Sequence, residues 1–121
     1  MPECWAQLLY VFSLMQIVKA AITDLSNVVK LFKAYLAFYD VEQSCVEIEH
    51  FLSDRLTQGD SIIFIAYATP NTPAGFIQLY PSFSSLMLQR FWILNDLYVA
   101  EEHRYKGVAK ALIECAKQLC Y

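Results

Sequence analysis

The sequence predicts a single α/β domain, more narrowly an α+β domain, built on a mixed, mostly antiparallel sheet. Three observations carry this. At 121 residues the chain is one domain at most. Hydrophobic residues make up 57% of it and charged residues 17%, a composition that can fill a core and is far from a disordered one. Apolar runs with strand character alternate with segments of helical spacing, in the order β-α-α-β-β-β-α.

The first described expectation is a strand over 15–22, "MQIVKAAI", from its apolar and partly β-branched content. Asp24 offers an N-cap. Leu25, Val28, Val29, Phe32, Tyr35 and Leu36 then follow at helical spacing, which predicts a helix over 24–38. Ser44-x-x-Glu47 is a capping box set in the periodic run Val41, Cys45, Ile48, Leu52, Leu56, so a second helix is expected over 42–57, closed by Gly59 and Asp60. "SIIFIAYA" (61–68) reads as a buried strand. "TPNTPAG" (69–75) reads as a turn, and "GFIQLYP" (75–81) as the returning strand. Serines over 82–85 suggest a second turn before a long strand over 88–100. From Gly107 onward, Val108, Ala111, Leu112, Cys115 and Leu119 share one helical face.

Residues 1–14 form an apolar N-terminal extension that fits neither a signal peptide nor a membrane span, because no basic segment leads it and Gln7, Ser13, Gln16 and Lys19 break it. Met15 offers an alternative start, and the extension is either a segment packed on the core or an upstream start without a role. The net charge of −3 and the absence of a basic stripe exclude an ordinary nucleic-acid binder. Cys4, Cys45, Cys115 and Cys120 show no CxxC pairing and no histidine at metal-ligand spacing. They read as reduced thiols of a cytoplasmic protein, with no metal site.

One stretch carries chemistry: "LYVAEEHRYKGVAKALIE" (97–114). A strand passes through a short polar turn into a helix, and Gly107 stands at the junction within Arg104-x-x-Gly107-x-Ala109. Glycine and a small residue let backbone amides approach a ligand. The first-turn amides lack internal partners and carry the positive end of the helix dipole, so an anion can sit there. Arg104, Lys106 and Lys110 add charge around it. The stretch has no Walker A lysine motif and no GxGxxG, which excludes P-loop hydrolysis and dinucleotide binding of the Rossmann type.

"ILNDLYVAEEHRYKGVAKALIECAKQL" resembles the acetyl-CoA binding core of the GNAT family of N-acetyltransferases. The family signature is [Gln/Arg]-x-x-Gly-x-[Gly/Ala] at the start of a helix, after a strand ending in a Val-x-Pro-like turn. Arg104, Gly107 and Ala109 match it, and Val99 matches the strand end, with Ala100-Glu101 where many relatives carry Ala-Pro. "GFIQLYPSFSS" and "WILNDLYV" are similar to a bacterial-type group within the family, and the upstream element order is also the family's. The resemblance spans 15–121 and implies transfer of an acetyl group from acetyl-CoA to a primary amine of a small molecule or amino acid. It implies that the backbone amides of Tyr105, Lys106, Gly107, Val108, Ala109 and Lys110, with Arg104 beside them, hold the pyrophosphate. It implies also that the backbone of Leu97, Tyr98 and Val99 pairs with the pantetheine arm as a strand would.

Simple alternation places Arg90, Trp92, Leu94, Asp96 and Tyr98 on one face of the long strand, and Phe91, Ile93, Asn95, Leu97 and Val99 on the other. Asp96 is the only carboxylate in that strand. It is the candidate catalytic residue, to hold a cationic amine or relay its proton, and the competing reading is a hydrogen-bonded structural carboxylate. Asn95 breaks the acidic pair that polyamine acetyltransferases of the family carry there. His50 and His103 read as solvated. Phe38, Tyr39 and Tyr80 read either as the lining of an acceptor pocket or as core and rim packing. GNAT domains continue with a fifth strand, so the sequence is expected to stop short of that strand. Two further expectations follow: a homodimer through the uncovered sheet edge, and, as the alternative function, a non-catalytic CoA-binding or interaction module.

Overall fold

A computed structural model describes residues 15–119; the N-terminal extension lies outside the described residues. The elements run β1 (Gln16–Lys19), α1 (Leu25–Phe38), α2 (Cys45–Gln58), β2 (Ile62–Thr69), β3 (Thr72–Ser84), β4 (Gln89–Val99) and α3 (Val108–Leu119), with 3-10 turns at Ile22–Asp24 and Glu101–His103. The order is the expected β-α-α-β-β-β-α. All four strands form one antiparallel sheet in sequence order, β1-β2-β3-β4.

The helices cover both faces. Val28 and Leu31 of α1 and Ile48 and Leu52 of α2 pack on Ile63, Ile65 and Tyr67 of β2 and Phe76 of β3. Val108, Leu112 and Ala116 of α3 pack on the opposite face, against Phe64, Ala66, Ala74, Ile77 and Leu79. Successive residues of β2 and β3 therefore feed different cores, which is why "IIFIA" and "AGFI" are apolar without alternation.

Local chemistry sets several boundaries away from their expected places. α2 begins at Cys45 rather than 42, because the Ser44 hydroxyl accepts the Glu47 amide at 3.1 Å and so marks the cap. Gly59, at φ 64°, ends it in the left-handed conformation. Asp24 precedes α1 but does not cap it by its side chain. One carboxylate oxygen accepts the Ala21 amide and the other accepts the Tyr67 hydroxyl at 2.7 Å, tying the β1–α1 turn to β2. The β2–β3 turn is only Pro70–Asn71, and the β3–β4 turn lies at 85–88 because the strands continue through Ser82 and Ser84.

Gly75 belongs to β3, not to the turn, and pairs with Val99. A Cβ there would lie 2.7 Å from the Tyr98 carbonyl oxygen and 3.3 Å from a Val108 methyl. Glycine is thus required for β3, β4 and the start of α3 to meet. Gly75→Ala is expected to destabilise the domain by about 1–3 kcal/mol through overpacking against backbone. A thermal melt reads this, and an unchanged Tm would refute the close approach.

Candidate functional site

Among the described residues β4 is an edge strand, and it is not regular. Gln78 pairs with Asp96, but Leu79 pairs with Leu94, so Asn95 is an extra residue in a β-bulge. The bulge overturns the face assignment made by simple alternation. Asp96 and Tyr98 face α1, as a single set, whereas Trp92 packs with Leu97 and Val99 in the α3-side core. Leu94, opposite Leu79, joins that side, and Phe91 and Ile93 move to the other. A one-residue insertion inverts every side chain beyond it.

The bulge also decides which backbone groups are available. The Ala100 amide donates to the Ala74 carbonyl at 2.8 Å, which makes Ala74/Ala100 a hydrogen-bonded pair. Counting back in twos, Phe76/Tyr98 and Gln78/Asp96 are the others. Leu97 and Val99 therefore turn their amides and carbonyls to the open edge, while the backbone of Tyr98 is used by β3. Of the three residues expected to pair with a pantetheine arm, Tyr98 has its backbone turned to β3, and its side chain lines a cleft.

After β4 the chain makes the 3-10 turn Glu101–His103 and enters the loop 104–107. Tyr105 has φ 65° and Gly107 φ 82°, either side of Lys106. Left-handed residues spaced this way turn the loop sharply, the kind of turn from which backbone nests for anions are built. Nothing lies within 4 Å of where a Gly107 Cβ would be, so the concavity is open. Lys106 and Lys110 are exposed, and the ion pairs among the described residues, Arg55–Asp60 and Glu114–Lys117, do not involve them. Arg104 is placed differently. Its Nε donates to the Val99 carbonyl at 2.9 Å, and its guanidinium lies 5.6 Å from the ring centroids of both Phe38 and Tyr98. It ties the end of α1, the end of β4 and the loop together.

These parts border a cleft of about 250 Å³ lined by Tyr35, Phe38, Tyr39, Leu97, Tyr98, Val99, Arg104 and Ala109. A larger cleft of about 570 Å³ lies between α1 and α2, around Lys33, Val41 and Ile48. It borders neither the open edge of β4 nor the glycine loop before α3, so the smaller cleft is the candidate site. Phe38 and Tyr39 line it, as one sequence expectation had them, and Tyr80 does not. His50 is exposed and His103 half-buried, both outside the lining.

Asp96 is buried behind the cleft. Its Oδ1 accepts the Tyr35 hydroxyl at 2.9 Å. Its Oδ2 accepts the side-chain amides of Gln78 and Asn95, each at 3.0 Å. Gln78 is fully buried and accepts the Ser61 hydroxyl at 3.0 Å in turn. The sequence reading missed this chain. Its signal was Gln78, a polar residue at the centre of "GFIQLY", which a buried strand keeps only with partners.

Burial and then the bond to Asp96 push the Tyr35 phenol up to about 12. The unfolded phenol titrates near 10, so the associated stability is full below about pH 10 and is lost as pH rises through 12. Tyr67 and Tyr80, raised chiefly by burial, act in the same direction. In Tyr35→Phe the fall of Tm between about pH 10 and 12 is expected to be shallower than in the parent. An identical slope would show that Tyr35 does not carry it.

A β-bulged strand, a glycine loop leading into a helix and a glycine-mediated strand contact are set on one α/β domain with an antiparallel sheet covered by helices on both faces. The pattern of the Acetyltransferase (GNAT) family matches residues 28–121, and the chain belongs to that family. It is 39% identical over 103 residues to the uncharacterised N-acetyltransferase YhfO of Bacillus subtilis (strain 168), covering 85% of this chain and 68% of that protein. It is 33% identical over 107 residues to a probable acetyltransferase of Haemophilus influenzae, covering 88% and 73%. Among solved structures it is similar to the crystal structure of a probable acetyltransferase, with TM-score 0.81 and 45% identity over 86% of this chain and 70% of that one. Among the described residues no helix is long and apolar enough to cross a membrane.

Proposed function

We propose that this chain transfers the acetyl group of acetyl-CoA to a primary amine of a small molecule or amino acid. The observation that carries the reading is the left-handed loop at 105–107, open at Gly107, next to the outward-facing backbone of Leu97 and Val99 that lines the cleft. The open Gly107 cradle and the unpaired Lys106 and Lys110 fit a pyrophosphate, and the amides of 105–110 would hold it. Leu97, with its amide and carbonyl both turned outward, and the Val99 amide would hold the pantetheine arm. Acetyl-CoA supplies an activated acetyl thioester.

An alkylammonium acceptor must lose a proton before its nitrogen can attack. Tyr35 lines the cleft and donates its own proton to Asp96, so its oxygen is free to accept one from the ammonium. Asp96 thus takes the proton through Tyr35 and supplies the negative charge that favours the cation. Asp96 acts behind Tyr35 and does not meet the acceptor directly.

Calorimetry with acetyl-CoA, followed by thiol release across a panel of amines and amino acids, tests the reading. Binding with thiol release is the expected result. No binding at millimolar ligand overturns the proposal, and binding without release for any amine leaves a non-catalytic CoA-binding module.

A further inference from the structure

The Tyr105 side chain is fully exposed. Its relative exposure is 104%, and no ring contact, hydrogen bond or ion pair of its side chain is present among the described residues. It also occupies the left-handed region at φ 65°. A side chain with a Cβ is disfavoured there by roughly 1–2 kcal/mol. Folding thus holds a large ring in water, on a strained residue, and gains no packing from it. A backbone outlier of this kind, kept by the surrounding loop, points to use by a ligand.

We infer that the Tyr105 ring is a stacking platform for the adenine of acetyl-CoA. The inference rests on the proposed function, which puts the pyrophosphate on the amides of 105–110. In coenzyme A the adenosine is joined to that pyrophosphate through its ribose. A pyrophosphate held there therefore leaves the base one sugar away from the loop. Tyr105 is the fully exposed ring of the segment 101–110, and it stands in the same loop as Gly107. A purine presents a flat π-face that an exposed phenol can cover, and Lys106 beside it supplies charge for the phosphates without competing for the ring. The strained φ fixes where the ring leaves the backbone, so less freedom is lost when the base arrives.

The test compares the parent chain with Tyr105→Ala, Tyr105→Phe and Tyr105→Trp. Being exposed, the position tolerates all three without loss of fold, which circular dichroism checks. Tyr105→Ala is expected to weaken coenzyme A roughly tenfold, or about 1.4 kcal/mol, and Tyr105→Phe to bind as the parent does. In Tyr105→Trp, coenzyme A is expected to quench the new indole emission. Unchanged affinity in Tyr105→Ala, or no quenching of the new indole by bound coenzyme A, overturns the platform and leaves the proposed function standing. If the parent chain itself binds no coenzyme A, both readings fail together.

Discussion

Gly107→Asp is expected to abolish acetyl-CoA binding while leaving the domain folded. Two properties of the position separate the effects. The site of the new Cβ is empty to 4 Å, so the side chain meets no obstacle. The backbone is left-handed at φ 82°, a region aspartate enters more readily than most residues. Loss of glycine there costs about 1 kcal/mol, which lowers Tm by only a few degrees. The carboxylate, however, would stand among the amides proposed to hold a pyrophosphate. Like charges about 4 Å apart at a protein surface repel by about 4 kcal/mol, which is on the order of a thousandfold in affinity. Gly107→Ala has a backbone penalty at least as large, without the charge, and is expected to lose only severalfold. Calorimetry on both variants, with melts as controls, distinguishes charge from strain. Unchanged affinity in Gly107→Asp would remove the loop from the binding site.

The elements were legible wherever a local rule acts alone. Helical spacing in "LSNVVKLFKAYLAF", the Ser44 cap and the Gly59 stop each depend on neighbours within four residues, and each is found close to its expected place. What could not be read is what depends on distant pairing. Asn95 becomes a bulge only because β3 offers Gln78 and Leu79 at that register, and nothing within "WILNDLYV" signals the slip. The face of every residue from Leu94 back to Gln89 changes with it. Gly75 likewise looks like turn chemistry in "NTPAG" until the Tyr98 carbonyl is seen against it.

The site divides along the same line. The half proposed to hold phosphate lies within one strand–turn–helix stretch, and so "RYKGVA" could be singled out as a candidate anion site from spacing. Its other half is assembled from three segments far apart in the chain: Tyr35 on α1, Gln78 on β3 and Asp96 on β4. Arg104 shows how the two are joined. It belongs to the signature by sequence, yet its side chain reaches the Val99 carbonyl and the Phe38 ring rather than the open space at Gly107. The residue that the motif supplies for charge serves geometry instead, holding the last outward carbonyl of β4 and the end of α1 beside the loop.

Asp96 allows its structural and chemical roles to be separated, because two substitutions affect them differently. Asp96→Ala removes the acceptor of three donors. Asn95 is exposed and turns to water, and Tyr35 is half-buried, but the Gln78 amide has no access to solvent. An orphaned buried donor and a lost charge-assisted bond together destabilise by about 3 kcal/mol. For a domain of this size that is a fall in Tm of roughly 10–15 °C. Asp96→Asn keeps the shape and the acceptor for Tyr35, and sets its amide against the Gln78 amide. Gln78 relieves this by rotating, since the Ser61 hydroxyl can accept as well as donate. The stability loss is therefore expected to be about half that of alanine. Proton transfer has no such remedy, because an amide cannot take the proton that Tyr35 passes on. Under the proposed function, acetyl transfer in Asp96→Asn falls at least about a hundredfold at neutral pH, with acetyl-CoA affinity unchanged. A variant that is destabilised but transfers acetyl at the parent rate would make Asp96 a purely structural carboxylate, and the proton would then leave by another route.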